Sequence, residues 1–133
     1  MQFLTIAAFA ATLAAAADTV SVKDLSVRKN NGLQSASFTV QPSGDACSST
    51  DAASLVYPRI NQCGTGLYYF QIQEGESSAF KLTITKKVGM NSVTNATVDV
   101  PTYCHAGGNG ADDFVCSQVG DASGTMSERF GTY

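Results

Sequence analysis

Few side chains in this sequence have the chemistry for catalysis. It holds one histidine, His105, which follows Cys104 and precedes Gly107-Gly108. A serine nucleophile needs a base beside it, so any triad would have to run through His105. Serine is abundant, but none sits in a G-x-S-x-G turn. His105 therefore reads as a loop histidine. Two carboxylate pairs, Glu74 with Glu76 and Asp112 with Asp113, have the residue type for glycosidase acid–base work. Both fall among turn residues and read as solvated, and a domain of this size would struggle to frame a polysaccharide cleft. Asn109, Asp112 and Asp113 bring oxygen donors of the kind Ca²⁺ takes. Their spacing matches no calcium loop, so a structural turn is the better reading. The chain is expected to be a non-enzyme with no metal and no cofactor.

The remaining chemistry is covalent. The four cysteines are Cys47, Cys63, Cys104 and Cys116. They contain no C-x₂-C pair and have only His105 for company, which argues against zinc. An even count in an exported chain argues for disulfides. Four cysteines allow three pairings. We take the local one, Cys47 with Cys63 and Cys104 with Cys116, and each short loop so closed adds roughly 3 kcal/mol. Asn95-Ala96-Thr97 is an N-glycosylation sequon, placed where a turn leads into a strand. Tyr57, Tyr68, Tyr69, Phe70 and Phe80 read first as core packing, and second as an apolar pocket or a dimer face.

Elements that must position these residues follow an export signal. Residues 1–17 read as a secretory signal peptide, with an apolar run from Leu4 to Leu13 and small residues from Ala14 to Ala17. Residues 18–133 then read as a single domain, expected outside the cell, free or associated with the cell wall. The formal charge is −3. Acidic residues collect late: beyond residue 100, Arg129 faces Asp112, Asp113, Asp121 and Glu128. No basic stripe runs through the chain, which argues against nucleic acid and an anionic membrane as partners.

The pattern from residue 18 onward is β. Val20 to Val27 alternates, with a slip at Asp24-Leu25, and Arg28 to Gly32 reads as a hairpin turn through Asn31-Gly32. Ala36–Val40 is a strand, 41–50 a loop, and Ala53–Tyr57 a strand ended by Pro58. Tyr68, Phe70 and Ile72 share one face, as do Phe80, Leu82 and Ile84, with Lys81, Thr83 and Thr85 toward water. Ala96–Val100 and Phe114–Val119 follow, and the polar tail from Asp121 reads as a frayed end or a weak edge strand. About seven to ten short strands and no amphipathic helix predict an all-β fold, a compact antiparallel barrel or sandwich stapled by two disulfides.

One stretch is more specific. Pro101-Thr-Tyr-Cys-His-Ala-Gly-Gly-Asn-Gly110, with Asp113-Phe-Val-Cys116, resembles the signature of the Alternaria major allergen family, secreted fungal proteins. The Cys47/Cys63 spacing, Val22-Lys23 and Arg28-Lys29 also fit it. The resemblance spans about residues 20–122 and is strongest over 101–119. It implies a β-barrel with the disulfides Cys47–Cys63 and Cys104–Cys116, and a role among allergens and elicitors of plant defence, without an established catalytic centre. The expected partner is a host plant or cell-wall protein, and the loop carrying His105, Asn109, Asp112 and Asp113 is read as the surface that binds it, because it is stapled, acidic and Gly-rich. A small aromatic, flavonoid-like ligand is the alternative. The sequence departs from the family in two places. No cysteine precedes Cys47, which excludes the cysteine-linked dimer and leaves a monomer or a non-covalent dimer. The stretch Ser123–Tyr133 is also more polar than the family's apolar last strand.

Overall fold

The computed structural model describes residues 18–130, with side chains through Ser127. The signal peptide expected over residues 1–17 falls outside the described residues, as do residues 131–133. Among the described residues ten strands run in order: β1 (Thr19–Asn30), β2 (Leu33–Gln41), β3 (Asp45–Ser49), β4 (Asn61–Gln62), β5 (Tyr68–Glu74), β6 (Ala79–Gly89), β7 (Ser92–Ala106), β8 (Asp113–Gln118), β9 (Ala122–Thr125) and β10 (Ser127–Phe130). Their pairing is antiparallel along the path β3-β2-β1-β8-β7-β6-β5-β4, with β9 on β1 and β10 on β7. The path bends round into a nearly closed barrel, as the alternating pattern predicted. Its two ends, β3 and β4, are joined by the Cys47–Cys63 disulfide, whose Cα atoms lie 4.2 Å apart.

Alternation places the core. Phe70, Ile72, Phe80, Leu82, Ile84, Val98 and Val100 are all but fully buried, on the faces read from the sequence. Phe38 meets Phe70 edge to face, with ring centroids 5.1 Å apart. Each such side chain contributes about 1.5–3 kcal/mol by leaving water.

The slip in β1 is a β-bulge. Register breaks between Lys23 and Ser26, and Asp24 takes a positive φ of 57°. An extra residue in one strand flips the alternation, so Val20 and Val22 before it and Leu25 and Val27 after it all point inward. At this bulge β1 also changes neighbours, from β9 (residues 19–22) to β8 (residues 26–30). The backbone groups exposed by the change find one side chain. Gln118 Oε1 accepts from Leu25 N at 3.0 Å, and its Nε2 donates to Val22 O and Gly120 O at 2.8 and 2.7 Å.

The structure corrects several sequence expectations. Strand β1 runs to Asn30, and the turn is Asn31-Gly32 alone, both at positive φ as a tight hairpin requires. The loop assigned to 41–50 shrinks to residues 42–44, because Asp45–Ser49 pairs with β2 as β3. Its Asp, Ala and Ser residues have weak strand propensity, and pairing overrides it. Ala53–Tyr57 is not a strand. A 3₁₀ turn spans Ala52–Leu55, capped by Asp51 Oδ1, which accepts from Ala53 N at 3.1 Å. Thr85 does not face water: it is buried, between Tyr69 of β5 and Asn95 of β7 in register. The polar tail is two short strands that fill the gap between β1 and β7. Gly124 makes the fit, since a Cβ there would stand 2.8 Å from Thr97 O and 3.1 Å from Val98 Cγ2.

Candidate functional site

Strands β7 and β8 set Cys104 directly opposite Cys116, and the disulfide joins them there. The connection between the strands is organised around one carboxylate. Asp113 opens β8 and is 1% exposed. Arg28 of β1 holds it with two donors, Nε to Oδ1 at 3.1 Å and Nη2 to Oδ2 at 2.8 Å. Asn109 N adds a third bond to Oδ2 at 3.0 Å. Gly107 N donates to Asp113 O at 2.8 Å. A Cβ on Gly107 would come within 2.3 Å of Asp113 Oδ2, so only glycine fits there. Gly108 and Gly110 take φ of 98° and 107°, conformations that suit glycine.

The hydrogen bonds from Arg28 hold the Asp113 carboxyl below its ordinary range. Desolvation opposes them, while the bond from Asn109 N and the Arg28 charge add to them. Arg28 is shifted up in turn by its bonds to Asp113. The pair is ionised and fixes the loop against the first strand.

The four residues read as a recognition loop divide. His105, Asn109 and Asp112 are exposed, and Tyr103 joins them on the neighbouring stretch of β7 at 68% exposure. Asp113 points inward, so the adjacent aspartates are not a solvated pair. Among the described residues His105 hydrogen-bonds neither a serine nor a carboxylate. No three His, Cys, Asp or Glu side chains gather as a metal site among the described residues. Arg28 of β1, read from the sequence only as the start of a turn, is the partner of the loop that the sequence reading missed. It sits 85 positions from Asp113, and only the β1–β8 pairing brings the two together.

The aromatic set also divides. Tyr68, Phe70 and Phe80 belong to the core. Tyr57 is 46% exposed and lines an open cleft of about 360 Å³ with Leu33, Leu55, Val56 and Ile72. Asn95 of the sequon lies within β7, half-buried between Thr85 of β6 and Ser127 of β10.

A disulfide-latched β-barrel whose longest strand leads into a Gly-rich, covalently closed loop defines the class of protein. The family model described as Alternaria alternata allergen 1 matches residues 22–116. This chain belongs to that family. The major allergen Alt a 1 of Alternaria alternata is 32% identical to it, over 95% of this chain and 96% of the relative. One crystal structure of that allergen superposes with a TM-score of 0.68 at 26% identity, covering 86% of this chain and 96% of the other. A second gives 0.69 at 29% identity, covering 83% and 88%.

Proposed function

We propose that this protein is a secreted, non-enzymatic protein of the allergen and effector type. It acts outside the producing cell on a host-plant or cell-wall target and modulates plant defence. The observation that supports this reading is the preorganised loop between Cys104 and Cys116. A disulfide, the ion pair of Arg28 with the buried Asp113 carboxylate and three glycines fix its backbone, while His105, Asn109, Asp112 and Tyr103 stand in solvent. A loop already held in shape loses little entropy on binding, which is how a small rigid surface gains affinity. Family membership supports the same reading.

The test is infiltration of the oxidised protein into leaves, beside a reduced and alkylated control and the variant His105→Ala/Asn109→Ala/Asp112→Ser. Defence responses from the oxidised parent alone support the reading. A variant as active as the parent removes the loop from it, and silence from every form across several plant species removes the reading itself.

The cleft at Tyr57 favours a second reading, a carrier of small aromatic ligands. Its apolar wall and single phenol suit a flat, weakly polar molecule. Tyrosine fluorescence titrated with a flavonoid should fall in the parent and stay level in Tyr57→Leu. A level titration in both ends this reading.

A further inference from the structure

The β6–β7 hairpin turns through Met90 and Asn91. Turn tips are normally Gly, Asn, Asp, Ser or Pro, yet here Met90 stands 93% exposed. Two more aliphatic side chains flank it, Val88 at 50% and Leu67 at 55% exposure. Singly exposed apolar residues are ordinary. Three that line one shallow cleft of about 500 Å³, together with Lys87 and Gly89, are a patch. The patch is held in place, because Lys87 N donates to Leu67 O at 3.0 Å and ties the turn before β5 to the hairpin.

Charge sets the kind of partner. Between residues 77 and 98 the sequence carries Lys81, Lys86 and Lys87 and no Asp or Glu. Lys87 is exposed, and Lys86 lies over the Tyr68 ring with its ammonium 5.7 Å from the centroid. Among the described side chains, Asp45 sits beside Gly66 on the neighbouring turn and leaves the lysines in excess; β10 sets Glu128 and Arg129 in register with Thr94 and Val93, one charge of each sign. The net charge of −3, which argues against an anionic membrane for the chain as a whole, conceals this local arrangement.

We infer that the hairpin tip docks the barrel on an anionic phospholipid surface. Met90, Val88 and Leu67 enter the boundary between headgroups and acyl chains, while Lys86 and Lys87 meet the phosphates. Apolar burial and lysine–phosphate attraction add in such sites. The geometry suits the loop described above. The tip and Cys104 lie at opposite ends of β7, roughly 40 Å of strand at about 3.3 Å per residue, so docking leaves the loop pointing away from the lipid. The inference goes beyond the proposed function, and vesicle binding needs no plant target, so either can fail without the other.

The experiment is sedimentation of the purified, oxidised protein with vesicles of phosphatidylcholine, and with vesicles that also carry phosphatidylserine. The parent should pellet with the anionic vesicles only, and less so as salt rises. Val88→Ser/Met90→Ser should lower binding about ten-fold, and Lys87→Gln about five-fold. All these side chains are exposed, so melting temperatures should stay at the parent value. Equal pelleting with both vesicle types, no pelleting, or binding indifferent to the substitutions overturns the inference. So does a concentration-dependent dimer broken by Met90→Ser, which would make a second copy the occupant.

Discussion

At the scale of single residues, Asp113 carries the most structure. Its carboxylate is buried, takes two bonds from Arg28 and one from Asn109 N, and leaves no room for a side chain at Gly107. Asp113→Asn keeps the shape but strands the Arg28 charge and turns one acceptor into a donor. We expect it to lower the melting temperature by several degrees near neutral pH, whereas Asp112→Asn should leave it unchanged; thermal melts of the two variants decide. The acid dependence has a definite sign. The folded carboxyl titrates below its unfolded value, so its contribution is complete above about pH 4. It is lost as pH falls from there through the lowered folded value, because the unfolded chain takes up the proton first. The gap between parent and Asp113→Asn should therefore narrow at about pH 3. Gln118 is the second such residue. Its amide closes three backbone groups at the β1 bulge, and Gln118→Ala should cost about 1–3 kcal/mol for those left unpaired, readable in a urea titration. An unchanged midpoint would mean that water replaces the amide without loss.

At the scale of elements, the tail is the part to test. Strand β9 approaches β7 at Gly124, where a methyl group would meet Thr97 O and Val98. Gly124→Ala should destabilise by about 1–3 kcal/mol through overpacking, while Ser123→Ala, whose side chain is exposed, should do little; denaturant midpoints of the two compare them directly. The elements differ in how far the sequence announced them. Strands with one wet face, β5 and β6, were legible because apolar and polar residues alternate there. The bulge was legible as a slip of phase at Asp24-Leu25, and the first turn as Asn31-Gly32. Strand β3 and the tail were not, because their Ala, Ser, Asp and Gly carry no alternation and are ordered by neighbours distant in sequence. The 3₁₀ turn hid behind Leu55-Val56-Tyr57, an apolar run too short to separate helix from strand. In the candidate loop, the disulfide, the glycines and the exposed side chains could be read from local sequence. The inward turn of Asp113 could not, since its partner Arg28 reaches it only through the pairing of β1 with β8.

At the scale of the molecule, the two disulfides have unequal work. Cys104–Cys116 links residues already opposed in a ladder. Cys47–Cys63 joins the two ends of the strand path. Cys47→Ala/Cys63→Ala should therefore lose more stability, about 2–5 kcal/mol, and admit protease near residues 50–60, while Cys104→Ala/Cys116→Ala should lose less and be cut within its own loop. Equal losses and equal cleavage patterns would mean that the seam holds without its bond. The pairing of β1 also orders the life of the chain in time. Its first residues to be made, Thr19–Val22, find their β9 partners at Ala122–Thr125, and its second half waits for Asp113–Ser117. Contacts so far apart in sequence form slowly. During synthesis β1 can zip to β2 early, yet its other edge stays uncovered until β8 and β9, about a hundred residues later, have emerged. The barrel is thus a late event that waits for β8 and β9 to emerge, and a nascent chain depends on being kept from other open strand edges until then.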